Sequence, residues 1–324
     1  MASAEQDLIR KYLAPLVTNA GADGLRDDAA VLDTPGPLVA SKGMLIGDVH
    51  FREQDAPADI GWKSVAVNVS DIVAKGAAPK FMFLGLGLPN RLDLTAWLPG
   101  FCDGLSQALD HYDISLMGGD LVSPPNDLCI SVTLLGEPYR LPIPRRGAAE
   151  PGDVIFIAGP IGEAGLGLRL LQAANDRPEL PQAAETAAID AYLRPSPKPA
   201  WAPLIARFAT ASMDVSDGLW HDLASLLTAS GLAAEVDLEQ VPAGGVPNAL
   251  IAPRQNHLEH FNAGDDYCPL FTVAPHDVDL LLAEAASDSV ELVQIGRLTD
   301  RAPTGQICTT TGHLIDAARG YSHF

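Results

Sequence analysis

Aspartates lie close to glycines, serines or other aspartates at several points of this chain, most of which are predicted turns. They occur in RDDAAVL (Asp27, Asp28), NVSDIV (Asp71), MGGDLV (Asp120), MDVSDGLWHDL (Asp214, Ser216, Asp217) and NAGDDYCPLF (Asp265, Asp266). Carboxylate oxygens are the ligands that Mg²⁺ prefers, usually together with substrate phosphates. Neighbouring glycines let the backbone approach a phosphate closely. The set therefore indicates metal-assisted phosphate chemistry.

Each of these motifs also has a structural interpretation when it is taken alone. Asp217 could cap the helix that follows it, and the pairs Asp27–Asp28 and Asp265–Asp266 could be turn residues. A single histidine on a predicted strand, such as His50, is more typical of a structural residue than of a ligand. The functional interpretation depends on several such motifs occurring in one chain.

Common nucleotide-binding and hydrolytic motifs are absent from the sequence. It contains no GxxxxGK[ST] loop, no GxGxxG after a strand, no HExxH and no GxSxG. A bound nucleotide would therefore have to be held in another way.

The elements that must position these residues are a mixture of helices and strands. A helix with one polar stripe is predicted by polar residues at helical spacing within an apolar segment: Ser64, Asn68, Asp71 and Lys75. The segment 29–51 predicts two strands around a Pro/Gly turn. Strands and helices then follow each other without strict alternation, which favours an α+β fold. The link RRGAAEPGD predicts a domain boundary, giving domains 1–144 and 145–324.

Composition and charge restrict the class of protein. A chain of 324 residues is long enough for two domains. Its net charge of −20 makes a nucleic-acid partner unexpected, because such binding rests on basic residues. The four cysteines show no CxxC spacing, which argues against a zinc site. No apolar run is long enough to cross a bilayer. We expect a cytoplasmic protein with reduced thiols and no membrane partner.

Taken in order, the motifs resemble those of the thiamine-phosphate kinase family, within the aminoimidazole ribonucleotide synthase-like (PurM-like) superfamily. RDDAAVL is similar to G-D-D-A-A-V, GDVHF to E-G-V-H-F, and DIGWKSVAVNVSDIVAKGAAP to D-I-G-x-K-A-L-A-V-N-L-S-D-L-A-A-M-G-A-x-P. MGGDLV, RRGAAEPGD and LRPSPKP are similar to G-G-D-T-T, R-S-G-A-K-P-G-D and L-R-P-x-P-R. MDVSDGLWHDL, AGDDYCPLFTV and GYSHF are similar to I-D-x-S-D-G-L-x-x-D-L, G-G-E-D-Y-E-L-x-F-T and G-Y-D-H-F. The resemblance runs nearly end to end.

This resemblance implies a fold and a reaction. The fold is PurM-like, with two α+β domains, strands of the N-terminal domain pairing across a homodimer, and a C-terminal domain that closes the active site. The reaction is Mg²⁺-dependent transfer of the γ-phosphoryl group of ATP to the phosphate of thiamine phosphate. Phosphoryl transfer relies mainly on positioning and charge neutralisation, so an acceptor that is already a phosphate anion needs no general base.

The resemblance also assigns roles to individual residues. The implied metal ligands are Asp28, Asp71, Asp120, Asp214 and Asp217. Among them, Asp71, Asp120 and Asp217 are the candidate catalytic residues. The implied ATP contacts are Gly119, Asp120, Ser216 and, at the phosphates, Arg146. His50 and Asp265 would face the acceptor.

The chain departs from the family pattern in three places. Lys42-Gly43 replaces a metal-binding Thr-Asp pair, Asp265 replaces a glutamate, and Ala318 replaces a tryptophan. Asp48 lies about 16 Å from Gly43 along a strand, too far to replace the missing ligand without moving the metal. Lys42 could supply a positive charge to a phosphate, or it could be an ordinary exposed strand residue. An alanine at position 318 removes a stacking surface.

Three interpretations of the function therefore stay open from the sequence. The first is a thiamine-phosphate kinase. The second is a divergent kinase of the same fold that acts on another small phosphorylated or heterocyclic metabolite of a cofactor pathway. The loss of the Thr-Asp pair and of the tryptophan favours it. The third is a non-catalytic nucleotide-binding homologue, which the retained aspartates argue against.

Overall fold

The computed structural model describes residues 4–27, 29–173, 179–245 and 259–317, and the chain divides into two compact units. The first unit consists of Met1–Ile72 and Ala78–Pro138, and the second of Val73–Ala77 and Tyr139–Phe324. Both contain helices and sheets with antiparallel and parallel neighbours. The predicted α+β class is therefore confirmed, whereas the boundary after residue 144 stays a prediction.

The first unit is built on one sheet within its described residues. Its helices are α1 (Ala4–Leu8), α2 (Pro57–Ala74) and α3 (Leu94–Tyr112), with a π-helical turn at Ile9–Leu13 and 3₁₀ turns at Ala14–Leu16 and Ala20–Leu25. Its strands are β1 (Val39–Ile46), β2 (Ala77–Gly87), β3 (Ser115–Val122) and β4 (Cys129–Pro138). They are ordered β1-β4-β2-β3, with β1 antiparallel to β4 and β2 parallel to β3.

Small residues let α2 lie close to α3. A Cβ atom on Gly104 of α3 would lie 1.8 Å from the carbonyl oxygen of Ala58, and one on Gly61 of α2 would lie 2.3 Å from that of Phe101. Any side chain at either glycine would push the two helices apart, because interiors are close-packed. The predicted helix with a polar stripe is thus confirmed as α2, which ends just before Gly76 with its φ of +66°.

The predicted strand near residue 30 is wrong. Ala30 and Leu32 pack against the cluster of Ala22, Phe81 and Met117, while Val31 is 73% exposed. The alternation of inward and outward side chains therefore exists. A strand also needs a partner strand, and here the Val31 N–H donates instead to the carbonyl of Gly21, 2.9 Å away, in a 3₁₀ turn.

The second unit is built on a larger sheet within its described residues. Its helices are α4 (Glu163–Gln172), α5 (Gln182–Leu193), α6 (Trp201–Phe208), α7 (Leu219–Ser230) and α8 (Val278–Ser287), with a 3₁₀ turn at Pro275–Asp277. Its strands are β5 (Val154–Ile157), β6 (Ala209–Val215), β7 (Ala233–Val236), β8 (Cys268–Val273), β9 (Val293–Thr299), β10 (Ile307–Thr309) and β11 (Leu314–Ile315). The order is β11-β10-β7-β9-β5-β8-β6, and all neighbours are antiparallel except β7 and β10.

The core of the second unit positions β6 and α7. Every residue of β8 is buried, and β8 pairs with β6 from Ala209 to Val215. Helix α7 buries Trp220, Leu223 and Leu227, so its apolar side packs inward. This packing fixes the turn that joins β6 to α7, where several of the predicted site residues lie.

Two further findings concern compartment and membrane. All four cysteines lie in the described residues and are free thiols. None of the helices in those residues combines the length and the apolar character that crossing a bilayer requires.

Candidate active site

The turn between β6 and α7 brings together Asp214, Ser216 and Asp217. Asp214 lies near the end of β6 and is buried, and Ser216 and Asp217 follow it and are half-buried. Gly218 completes the turn with a φ of +114°, and a Cβ atom there would lie 2.6 Å from Oδ1 of Asn262. Glycine is required at this position both by the backbone conformation and by the close approach of Asn262.

Asn262, rather than Asp217, caps helix α7. Oδ1 of Asn262 accepts hydrogen bonds from the N–H groups of Trp220 and His221, at 3.1 Å each. The residue at the start of the helix, Gly218, has no side-chain cap of its own. The structural interpretation of Asp217 as the cap is therefore wrong, and its carboxylate is available for another role.

Asp222 supports the same turn from the inside, and the sequence analysis did not single it out. Its Oδ2 accepts hydrogen bonds from the N–H groups of Ser216 (2.9 Å) and Asp217 (3.0 Å). Burial raises the pKa of Asp222 to about 7, with the nearby Asp217 carboxylate as the second cause. The aspartate in the family motif I-D-x-S-D-G-L-x-x-D-L was a signal that could have identified it.

His221 lies beside these two carboxylates. One ring nitrogen of His221 and one oxygen from each of Asp217 and Asp222 all lie within 4.8 Å of one another. Two carboxylates and an imidazole are all donors that bind divalent cations. The residues at this turn therefore fit a metal ion.

A second turn, residues 262–267, is bonded to the first and contains Asp265. The N–H of Asp265 donates to the carbonyl of Ser216, and the N–H of Tyr267 donates to that of Val215, both at 2.8 Å. The Tyr267 hydroxyl donates to Oδ1 of Asp265 at 2.6 Å. Burial raises the pKa of Tyr267 well above its ordinary value, so the hydroxyl keeps the proton that it donates.

A cavity of about 360 Å³ opens beside Asp265. Its lining includes Tyr267, Trp201 and Lys198, and Nζ of Lys198 lies 6.0 Å from the ring centroid of Trp201. A carboxylate, an aromatic ring and a cation in a cavity of this size suit a small polar ligand. Trp201 and Lys198 were missed, although LRPSPKP, the motif that contains Lys198, had been noted.

In the first unit, Asp71 lies on α2 against β1. Its Oδ2 accepts a hydrogen bond from the hydroxyl of Ser41. Asn68, one turn earlier, is buried, and its Nδ2 donates to the carbonyl of Ser64 at 2.9 Å. Asp71 is half-buried, so the hydrogen bond to Ser41 orients its carboxylate while solvent can still reach it.

Gly43 and Lys42, where the family pattern breaks, occupy different environments. A Cβ atom on Gly43 would lie 2.5 Å from Oδ1 of Asn68, so the Asn68 amide lies where a side chain at position 43 would project. Lys42 is exposed, and its Nζ donates to the hydroxyl of Ser131 and, at 3.3 Å, to the carbonyl of Gly43. Both interpretations of Lys42 are compatible with this position.

Asp120 and Gly119 line a second cavity, of about 410 Å³, together with Asp27. A Cβ atom on Gly119 would lie 1.9 Å from the carbonyl oxygen of Leu84, so only glycine lets β3 approach β2 at this point. Asp120 is exposed at the cavity. The implied metal ligand Asp28 lies outside the described residues.

His50 and Arg146 complete the predicted residues. Nδ1 of His50 accepts a hydrogen bond from the N–H of Ile46 at 3.0 Å, and the ring is half-buried. Arg146 is exposed, and its positive charge acts to lower the pKa of Asp222. Arg146 therefore lies within electrostatic reach of the β6–α7 turn, as a phosphate-binding cation there would.

Comparison with known proteins first defines a class. Residues 26–137 match the AIR synthase related protein, N-terminal domain, and residues 150–307 match the C-terminal domain of the same family. Together with the two α+β units, these matches define an AIR synthase related protein with a PurM-like fold.

Full-length relatives then identify the family within that class. The chain is 33% identical over 335 residues to the thiamine-monophosphate kinase of Escherichia coli (strain K12), covering 100% of this chain and 99% of that protein. The crystal structure of thiamine-monophosphate kinase from Stenotrophomonas maltophilia K279a has a TM-score of 0.77 at 35% identity, covering 88% of this chain and 90% of that one. The structure of AaThiL complexed with AMPPCP and TMP has a TM-score of 0.75 at 29% identity, covering 92% and 91%. This chain belongs to the thiamine-monophosphate kinase family.

Proposed function

We propose that this chain is a kinase that transfers the γ-phosphoryl group of ATP to thiamine monophosphate and releases thiamine diphosphate. The observation that carries the proposal is the full-length relationship to thiamine-monophosphate kinases, 33% identity over the whole chain. A related structure holds AMPPCP, an analogue of ATP, together with TMP. The aspartates that line the turns and the cavity described above are the residues that such a reaction needs.

Magnesium would be held by carboxylates of the predicted aspartates. The ligands that we propose are Asp28, Asp71 and Asp120 in the first unit and Asp214 and Asp217 in the second. Asp71 and Asp217 fit this role because neither caps a helix and both are half-buried. When bound, Mg²⁺ neutralises phosphate charge and orients the transferred group. Asp71, Asp120 and Asp217 are the catalytic residues in this proposal.

The hydrogen bonds at the β6–α7 turn restrict how Ser216 can bind ATP. Its N–H donates to Asp222, and its carbonyl accepts from the N–H of Asp265. The hydroxyl is therefore the group of Ser216 with which ATP would form a hydrogen bond. Gly119 would contact ATP through its backbone, and Arg146 would pair with its phosphates as a guanidinium does.

Asp265 would bind the acceptor through its carboxylate, from the cavity that this residue lines. One of its oxygens accepts from the Tyr267 hydroxyl, and a carboxylate has several further acceptor sites. The cavity beside it, with Trp201 and Lys198, provides an aromatic surface and a positive charge for a heterocyclic phosphate. We also propose His50 as a residue that binds the acceptor.

We also propose that the chain acts as a cytoplasmic homodimer through its first sheet. Strand β1 lies at one end of that sheet, and it carries Met44, which is 56% exposed. An exposed edge strand with an apolar side chain is a surface that proteins normally cover. The four free cysteines agree with a reducing compartment.

The test is a coupled measurement of both products. Purified chain would be incubated with ATP, Mg²⁺ and thiamine monophosphate, and thiamine diphosphate and ADP would be quantified by chromatography. We expect equal amounts of the two products. ATP binding by calorimetry without any thiamine diphosphate would contradict the proposal.

A kinase with another acceptor stays the second candidate, because Asp265 replaces the glutamate of the family pattern. The other acceptor-side departure, Ala318, lies outside the described residues. The same assay, run with a panel of phosphorylated heterocycles in place of thiamine monophosphate, would identify that acceptor by ADP release. ATP binding without ADP release from any acceptor of the panel would instead support a non-catalytic nucleotide-binding homologue.

A further inference from the structure

His221 is a potential metal ligand that the proposed kinase reaction does not use. It is the second of the two variable positions in the motif D-G-L-x-x-D-L, and its N–H already donates to Oδ1 of the capping residue Asn262. Its ring reaches Asp217 and Asp222, with one nitrogen and two oxygens within 4.8 Å of one another. Its Nδ1 is buried and has no hydrogen-bond partner among the described residues.

A buried ring nitrogen without a partner is unusual, because buried polar atoms are normally hydrogen-bonded. The three donor atoms are also close to the spacing that one ion requires. Neighbouring ligands of a tetrahedral ion, at metal–ligand distances of about 2.1 Å, stand about 3.4 Å apart. Side-chain rotations that draw the three atoms together would therefore bring all of them into contact with one ion.

We propose that Asp217, His221 and Asp222 form a binding site for a divalent first-row transition ion, in the series from Mn²⁺ to Zn²⁺, which the site binds more tightly than Mg²⁺. Imidazole nitrogen favours these ions, whereas Mg²⁺ prefers a shell of oxygens. The inference extends the proposed function, because Asp217 is also a proposed Mg²⁺ ligand. Metal binding without nucleotide tests it separately.

Two local charges oppose a cation at this turn, and the two carboxylates outweigh them. The N-terminus of α7 carries the positive end of the helix dipole, equivalent to about half an elementary charge. Arg146 adds a more distant positive charge that acts on Asp222. When the ion displaces the proton of Asp222, Asp217 and Asp222 supply two negative charges in direct contact with it. The Asn262 cap already occupies two of the helix N–H groups.

The test compares metals on the nucleotide-free protein. Mn²⁺ binding would be measured by electron paramagnetic resonance, and Mn²⁺, Zn²⁺ and Mg²⁺ binding by calorimetry, on wild type and His221→Asn. We expect tighter binding of Mn²⁺ and Zn²⁺ than of Mg²⁺ by the wild type. The variant should lose at least about tenfold in Mn²⁺ affinity, while Mg²⁺ affinity changes little. Unchanged Mn²⁺ affinity, or a wild type without preference over Mg²⁺, would overturn the proposal.

Two further variants keep the test decisive. His276→Asn is the matched control, because His276 is an exposed histidine that also lies beside an aspartate, 3.6 Å from Asp277. It should bind Mn²⁺ as the wild type does. His221→Cys replaces the imidazole with a softer ligand, so it should retain Zn²⁺ binding and lose Mn²⁺ binding. Loss of both ions by this variant, with an unchanged melting temperature in EDTA, would contradict ligation by residue 221.

Discussion

At the scale of single residues, the negative charge of Asp71 can be removed without removing its hydrogen bond to Ser41. The Ser41 hydroxyl donates to Asp71, and that bond needs an oxygen acceptor rather than a negative charge. An amide oxygen can take the same bond, so replacement by asparagine removes the charge and keeps the contact. The fold and the proposed metal site can therefore be tested independently here.

We predict that Asp71→Asn abolishes Mg²⁺-dependent ATP binding and leaves the melting temperature nearly unchanged. The reason is that the carboxylate is proposed to hold a cation on the ATP phosphates. Calorimetric titration with ATP, in the presence and absence of Mg²⁺, measures the ATP affinity of the variant, and thermal unfolding measures its melting temperature. Asp103→Asn is the control, since Asp103 is an exposed aspartate of the same unit that accepts from Gln107 at 2.8 Å. Wild-type ATP binding by Asp71→Asn would show that α2 presents no metal ligand.

Residues whose role depends on a distant contact were those that sequence reasoning missed. Asp222 resembles any polar residue of an amphipathic helix until its bonds to the N–H groups of Ser216 and Asp217 are seen. Asn262 lies more than 40 positions from the two N–H groups that it caps. The aspartates themselves were predictable, because carboxylates beside glycines in turns are a local pattern.

Helix α7 is the element on which the candidate site depends most. Its first N–H groups are satisfied by a side chain from another segment, and the turn that precedes it carries Ser216 and Asp217. Helix α3 offers a simple comparison, because its cap, Asp93, is local and accepts from the N–H groups of Thr95 and Ala96. The two caps therefore stabilise their helices in a similar way, but only the Asn262 cap belongs to a helix that follows the candidate site.

We predict that Asn262→Ala and Asp93→Ala each lower the free energy of unfolding by about 1 kcal/mol, as cap removal usually does. Asn262→Ala should in addition weaken Mg²⁺–ATP binding several-fold, because Asp217 loses the support of its helix. Denaturant unfolding and ATP calorimetry on both variants measure these effects. If the two variants bound ATP equally well, the cap would have no part in positioning Asp217.

The succession of elements was predicted better than their pairing. Apolar spacing was enough for α2, α3, α4, α7 and α8 and for most strands. It failed at residues 29–34, where side chains alternate but the described chain offers no neighbouring strand. It also left α5 and α6 unassigned. Pairing depends on residues that are remote in sequence, which a pattern within one segment does not contain.

At the scale of the whole molecule, the first sheet provides the proposed surface for association. Ser41, Gly43 and Leu45 of β1 turn toward the interior, and Lys42 and Met44 turn outward. Met44 is 56% exposed in the single chain. A partner would cover this apolar side chain.

We predict that Met44→Glu shifts the chain from dimer to monomer, because a charge at an apolar contact must be desolvated without a partner. Light scattering after size exclusion measures the mass. Leu280→Glu is the control, since Leu280 of α8 is similarly exposed, at 47%, but lies in the other unit. A dimeric Met44→Glu would place the interface elsewhere, and a monomeric wild type would contradict the dimer itself.

The backbone bonds between the two site turns have a consequence for how substrates bind. Residues 215–221 and 261–267 are joined by three backbone hydrogen bonds and by the Asn262 side chain. A Cβ atom on Gly264 would lie 2.8 Å from the Ser216 carbonyl, so neither turn can shift alone. Substitutions in the two turns should therefore be energetically non-additive. Binding should be cooperative as well: ATP, by ordering the first turn, raises the affinity of the second for the acceptor, and the acceptor does the same for ATP by the same factor.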